Sequence, residues 1–164
     1  MKIMAIDPGG TTGWATFDLL FLDGLPLWIP TFSKHFKHHG QIGPDEHHDS
    51  LDRHLDSEMP DLVLLERFEH RNNDFSQLIS VEYIGVTKRW CQKNKRNLVL
   101  QGASEGIKWS DNKKMKHVDI LISPITPNRH ANDARRHLLY MLANRAKDPR
   151  IRNYVLKQLR DLPV

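Results

Sequence analysis

A chain of 164 residues with 39% apolar content has enough hydrophobic material for one buried core and too little length for a second full domain. Its formal charge of +4, with 27% of residues charged and a sequence pI near 9.3, favours an anionic partner such as nucleic acid over an acidic or neutral one. One cysteine, Cys91, excludes an internal disulfide, the short apolar run after Lys2 is too brief for a signal peptide, and no stretch approaches the ~18 apolar residues of a membrane span; a soluble, cytoplasmic protein with no membrane partner is expected.

Ile3, Met4, Ala5 and Ile6 are apolar without alternation, which predicts a strand covered on both faces and central in a sheet. That strand ends in Asp7, followed at once by Pro8-Gly9-Gly10. A carboxylate at the end of a buried strand is costly unless something cationic compensates it. WATFD and LPLWIP predict two further strands in a meander, with Asp23-Gly24 as the turn. PDEHHDSLDRHLDSEM places Leu51, Leu55 and Met59 at helical spacing, with Asp45 or Ser50 as cap and Pro60 as stop. DLVLLERF then repeats the opening pattern: Leu62, Val63, Leu64 and Leu65 are uniformly apolar, and the run ends in Glu66.

Residues 77 to 93 predict a crossing helix with Leu78, Val81, Gly85 or Val86, and Arg89 or Trp90 along its buried stripe, and NLVLQ predicts the strand after it. Short helices are expected at ASEGIKW and NKKMKHVDI. The last clear helix is HANDARRHLLYMLANRA, introduced by Pro124 and Pro127, and the tail from Pro149 forms one more.

Asp7, Glu66 and Asp133, the last in the first turn of the long C-terminal helix, form an acidic set. If the two buried strands are adjacent and parallel, their C-terminal ends lie side by side, and a helix docked across that edge brings its N-terminal turn to the same place. Divalent cations are the natural compensation for such a cluster, and oxygen ligands suit Mg²⁺ or Mn²⁺. Two ions about 4 Å apart can activate water and stabilise the leaving oxygen in phosphodiester hydrolysis. Gly9 and Gly10 allow a sharp turn and a close approach of a phosphate chain. His130, three residues before Asp133, lies near the same helix face and could assist the water or contact the scissile phosphate. Taken singly, each residue has a plainer explanation: Asp7 and Glu66 as turn residues, Asp133 as compensation for the helix dipole, His130 or Asn132 as a helix cap. Their joint occurrence is what points to a site.

With those residues in place, the chain resembles the RuvC-like Holliday junction resolvases of the ribonuclease H-like superfamily, particularly the small bacteriophage-type members. IDPGGTTGWA resembles the family's first strand and glycine turn, LVLLERF the strand with its second acidic residue, and HANDARRHLLY its C-terminal helix with an H-x-x-D pattern. The resemblance spans most of the chain in the same order and spacing. It implies an α/β, ribonuclease H-like fold with a mixed five-stranded sheet flanked by helices, filling 1–164 as a single nuclease domain. It also implies a homodimer acting on branched DNA with two Mg²⁺ ions, or Mn²⁺, per site, located in the cytoplasm of a bacterial host if phage-encoded. Asp7, Glu66 and Asp133 become metal-binding catalytic carboxylates, and His130 the fourth position, as metal ligand or as a group acting on phosphate or water. QGASEGIKWSDNKKMKH falls where the family has a basic substrate-contacting segment, which makes Lys108, Lys113 and Lys114, with Gly9 and Gly10, candidate nucleic-acid contacts.

Other features carry less. KRWCQKNKR could track phosphates or form a solvated helix end. Phe68 reads as core, and Phe75 as core or as a stacking platform for an unpaired base. His35, His38, His39, His47, His48 and His54 crowd one region without a cysteine or a standard zinc spacing, and read as surface histidines rather than a zinc site. Arg135, Arg136 and His137 receive no role. Two alternatives remain: a non-catalytic junction-binding or DNA-packaging factor of the same fold, and an actin- or Hsp70-like nucleotide-binding protein, since DPGGTTGWA also resembles that superfamily's phosphate loop.

Overall fold

The computed structural model describes residues 1–22, 25–27, 32–43, 45–46, 48–67, 76–120 and 129–160. In chain order the elements are β1 (Lys2–Asp7), β2 (Thr12–Asp18), β3 (Leu20–Leu22), β4 (Leu25–Leu27), β5 (Phe36–Ile42), α1 (Asp49–Glu58), β6 (Leu62–Arg67), α2 (Ser76–Lys93), β7 (Asn97–Gly102), α3 (Ala103–Trp109), α4 (Asn112–His117), α5 (Arg129–Tyr140) and α6 (Pro149–Arg160). Five strands form a mixed sheet in the order β5-β2-β1-β6-β7. β1 is its centre, antiparallel to β2 and parallel to β6, as its uniformly apolar sequence requires.

Each face of the sheet is covered by its own helices. Ile3, Ala5, Ala15, Phe17 and Leu64 pack under α5 and α6, whereas Met4, Ile6, Trp14, Val63 and Leu65 pack under α1 and α2. Strand registry is pinned at the far end, where Lys2 N–H donates to Asp61 Oδ2 at 2.8 Å and Asp61 N–H returns to Lys2 O at 2.9 Å.

Several expectations are corrected. Of the predicted meander, WATFD is in β2 of the main sheet as expected, whereas the LPLWIP strand, β4, pairs with β3 in a separate two-stranded ribbon, the Asp23-Gly24 connection lying outside the described residues. The fifth strand of the sheet is instead β5, in the histidine-rich segment FKHHGQI, which the sequence did not mark as a strand. Neither Asp45 nor Ser50 caps α1: the cap position is His48, without a side-chain hydrogen bond, and Ser50 accepts from Arg53 inside the helix. The stripe assigned to α2 is rotated. Leu78 and Val81 are 58% and 47% exposed, while Ser80, Tyr83, Ile84, Thr87, Trp90 and Cys91 are buried. Thr87 can be buried because its hydroxyl donates to Tyr83 O at 2.8 Å.

The described histidines disperse rather than gather, His47 lying outside the described residues. His35 is fully buried, contrary to its surface reading, stacked on Phe17 with Nδ1 2.8 Å from Asp18 O. His38 contacts Glu58, His39 contacts Arg135, His48 contacts Glu82, and His54 packs on Trp14. Among the described residues, no helix is long and apolar enough to cross a membrane.

How α5 meets the sheet positions everything that follows. It lies across β2 and β1 and reaches β5 and β6, and beyond Tyr140 its chain continues through a π-helical turn, Met141–Arg145. The approach is closest at Gly13: a methyl group there would sit 2.1 Å from the His130 carbonyl carbon and oxygen, and 2.6 Å from the Ala131 nitrogen. Both obstacles are backbone, so no rotamer relieves them. Gly13→Ala is expected to lower stability by at least about 1–3 kcal/mol, measured as a fall in the urea midpoint. An unchanged midpoint would contradict this seating of α5.

Candidate active site

The period-two alternation of a strand decides which way each acidic residue faces. Ile3 and Ala5 point to the α5 side of β1, so Asp7 does too; Leu64 points to the same side of β6, and so does Glu66. β1 and β6 pair in parallel through Ile6 and Leu65, and the next step places Asp7 beside Glu66. On β7 the partner of Glu66 is Gln101, on the same face as Val99. Three parallel strand ends thus present Asp7, Glu66 and Gln101 in a row.

From above, α5 presents His130, Asp133 and His137, spaced three and four residues apart along one helical stripe. Small residues on that helix, Ala131 and Ala134, are completely buried against the sheet. Asp133 stands one turn into α5 rather than in its first turn, and neither His130 nor Asn132 is a cap, since the helix already includes Arg129. The amide of His130 instead donates to Gln41 Oε1 at 2.9 Å, from the adjacent strand β5.

α5 supplies a nitrogen to each carboxylate. His130 Nδ1 lies 3.2 Å from Asp7 Oδ2, His137 Nε2 lies 2.8 Å from Glu66 Oε2, and the Arg136 guanidinium pairs with Asp133. Asp7 and Asp133 are buried, and Glu66 is half-buried. Burial pushes the Asp7 carboxyl up to about 7; the hydrogen bond from His130 opposes that shift, and the neighbouring Glu66 and Asp133 reinforce it. His130 is raised in turn by its hydrogen bond to Asp7, against the effect of burial.

The donor set fits divalent cations. Ligand atoms of Asp7, Glu66 and His137 lie within 4.8 Å of one another, as do those of Asp7, His130 and Asp133, so Asp7 belongs to both groups. Crowded carboxyl groups, one with strongly raised proton affinity, are a donor set that added positive charge would stabilise.

Asp7, Glu66, His130 and Asp133 therefore converge. Gly9 lies in the turn directly after β1, where its amide and carbonyl bracket the Thr12 hydroxyl, and Gly10 follows it. Lys108 and Lys113 are exposed on α3 and α4. Lys114 is tied back to Trp109, donating to its carbonyl at 2.5 Å and lying over its ring. Phe68 and Phe75 lie outside the described residues. KRWCQKNKR closes α2 at the sheet end remote from Asp7, with Trp90 buried and Arg89 and Arg96 paired to Asp52 and Asp61.

Sequence reasoning missed His137, Gln101 and Gln41. His137 had a signal, its four-residue spacing from Asp133. Gln101 had its place at the end of a strand parallel to the acidic ones; it is 1% exposed with neither amide atom hydrogen-bonded.

Similarity to solved structures is one of fold. T. thermophilus RuvC in complex with a Holliday junction substrate matches with a TM-score of 0.60 at 15% identity, over 85% of this chain and 91% of that chain. A second Thermus thermophilus RuvC structure gives 0.56 at 14% identity, covering 86% and 95%. Fowlpox virus resolvase, in complex with substrate Holliday junction DNA, gives 0.53 at 17% identity, covering 86% and 97%. No protein-family model matches the chain, and no curated protein matches it in sequence. The mixed five-stranded α/β sheet flanked by helices is thus the RuvC-like, ribonuclease H-like architecture.

A pH dependence follows from the site. With Asp7 near 7 in the folded protein and 3.8 in the unfolded chain, the folded form holds a proton that the unfolded form has lost. Stability of the metal-free protein should fall as pH rises from about 4 to about 7 and then level. Loss of the raised His130 charge acts in the same direction at the top of that window. Melting temperatures in chelator across this range should decline for the wild type and decline less for Asp7→Asn. A wild-type Tm that climbs over the window would contradict the burial of Asp7.

Proposed function

We propose that this chain is a Holliday junction resolvase, a metal-dependent endonuclease that cuts branched DNA, with 1–164 forming one nuclease domain. The observation that carries the reading is the convergence of Asp7, Glu66 and Asp133, from two adjacent parallel strand ends and one helix, beside His130. It is supported by the fold shared with proteins solved on junction DNA and by the basic charge of the chain.

In this reading Asp7, Glu66 and Asp133, with His130 at the margin, would hold two Mg²⁺ or Mn²⁺ ions. When bound, such a pair stabilises charge on the scissile phosphate and makes a water more acidic. The chain's own contribution is positional. Asp7 cannot move far, because it ends the central strand. His130 has a 35% exposed side chain, compared with 1% for His137. It is the site's open member, able to exchange its hydrogen bond with Asp7 for a proton or phosphate oxygen of the substrate. Gly9 and Gly10 leave room for the DNA backbone beside Asp7, and Lys108 and Lys113 offer charge to phosphates across α3 and α4.

Cleavage of a labelled four-way junction against a linear duplex of the same sequence tests the reading. Symmetric nicks on the junction, dependent on Mg²⁺, abolished by chelator and by Asp7→Asn, are expected, with junction binding retained by the variant. Tight binding by the wild type without Mg²⁺-dependent product would instead favour a non-catalytic junction-binding protein.

A homodimer belongs to the same proposal, because a four-way junction has approximate two-fold symmetry and two opposed strands must be cut. One surface supports it. Leu78 and Val81 of α2 and Leu100 of the neighbouring β7 are large apolar side chains 58%, 47% and 41% exposed, and Gly85 of α2 has open space above it. Sedimentation equilibrium should give the dimer mass for the wild type and the monomer mass for Leu78→Glu/Val81→Glu, with circular dichroism unchanged. A monomeric wild type would remove the dimer from the proposal.

A further inference from the structure

Beyond the carboxylates, His137 is a buried group at this site with no part yet assigned. His137 is 1% exposed, four residues after Asp133 on α5, with Nε2 2.8 Å from Glu66 Oε2. Its other ring nitrogen, Nδ1, is buried with no hydrogen-bond partner. What faces Nδ1 is Gly106 of α3: a methyl group there would lie 2.6 Å from Nδ1, 2.9 Å from Cγ and 3.0 Å from Cε1. The imidazole is thus clamped between Glu66 and a glycine whose missing side chain is the space the ring occupies.

This clamp decides the tautomer. A neutral imidazole carries one N–H and one bare nitrogen. Were the proton on Nδ1, a buried donor would have no acceptor, and Nε2 would set a lone pair against a carboxylate oxygen. With the proton on Nε2, the donor meets Glu66 and the bare Nδ1 faces Gly106, leaving a weaker unsatisfied group. A lone pair on Nε2, which metal ligation requires, would force the worse arrangement. The proximity that groups His137 with Asp7 and Glu66 is therefore that of a donor to a ligand rather than of a ligand.

We propose that His137 is a positioning residue: its Nε2–H donates to Glu66 and, with Gly106 as backstop, holds that carboxylate in the orientation from which it binds a divalent cation. This inference rests on the metal-site reading given above. Glu66, one residue before the end of β6, carries its carboxylate on a longer side chain than Asp7 does, so the orientation of that carboxylate depends more on its hydrogen bonds. Outer hydrogen bonds of this kind tune metal affinity, and their loss typically weakens it by about 10- to 100-fold.

Calorimetric titration of the full-length, metal-free protein with Mn²⁺ tests the assignment without any cleavage assay. His137→Gln, whose amide can donate from nearly the same place, should bind Mn²⁺ within about threefold of wild type, and His137→Leu at least about tenfold more weakly. Gly106→Ala, which displaces the ring while leaving Glu66 and His137 chemically intact, should weaken binding in the same direction, and serves if His137→Leu does not fold. Wild-type affinity in both His137→Leu and Gly106→Ala would make His137 a packing residue, and an equal loss in His137→Gln and His137→Leu would make it a ligand; either overturns the proposal. A wild-type protein that takes up no Mn²⁺ would overturn the metal-site reading itself, and the inference with it.

Discussion

Everything at the candidate site depends on how closely α5 sits on the central strands. Gly13 on β2, the completely buried alanines of β1, β2 and α5, and the Gln41 side chain at the first turn allow the helix backbone to rest almost directly on the sheet. Were the spacing that of two larger side chains, Asp133 and His130 would stand too far from Asp7 to share ligands with it. Close seating also excludes much of the water, which makes the carboxylates expensive as anions and raises the proton affinity of Asp7.

The protein meets that cost with a matched set of nitrogens on the same helix. His130 faces Asp7, Arg136 faces Asp133, and His137 faces Glu66, so the element that crowds the acids also steadies them. The three partners are not equivalent. Arg136 is a permanent cation and His130 is partly open to solvent, whereas His137 is sealed from it. An exposed partner can be exchanged when a cation or phosphate arrives; a sealed one can only hold its neighbour in place. In the proposed reading, that difference gives His130 the exchangeable place and His137 the positioning one.

The two ends of the sheet divide the labour. At the ends of β1, β6 and β7 the chain gathers Asp7, Asp133, His137 and the unpartnered amide of Gln101, all buried. At the opposite end, polar side chains are spent on structure: Asp61 locks β6 to β1 and takes Arg96, Glu58 takes Lys2 and His38, and Asp56 takes the Trp90 indole. Some of the basic charge legible in the sequence, Lys2 and Arg96 among it, is used there in ion pairs, so the net positive charge alone is a poor map of any nucleic-acid surface.

What the sequence determined by itself is the sheet's centre and the identity of the acidic set. Uninterrupted apolar runs at Ile3–Ile6 and Leu62–Leu65 can be satisfied only by strands covered on both faces, and a carboxylate ending each run is legible because it breaks that pattern. Tertiary structure decided the rest, because burial of a polar residue depends on a partner distant in sequence. His35 is core because Asp18 O receives it, Thr87 because its hydroxyl bonds back to its own helix, and FKHHGQI is a strand because β2 has an open edge. Leu78 and Val81 face outward because the more polar side of α2 could be hydrogen-bonded and their side needed no cover within this chain. His137 shows the limit most plainly: its spacing from Asp133 was visible, but its meaning lies in Glu66, 71 residues away, and in a glycine on another helix.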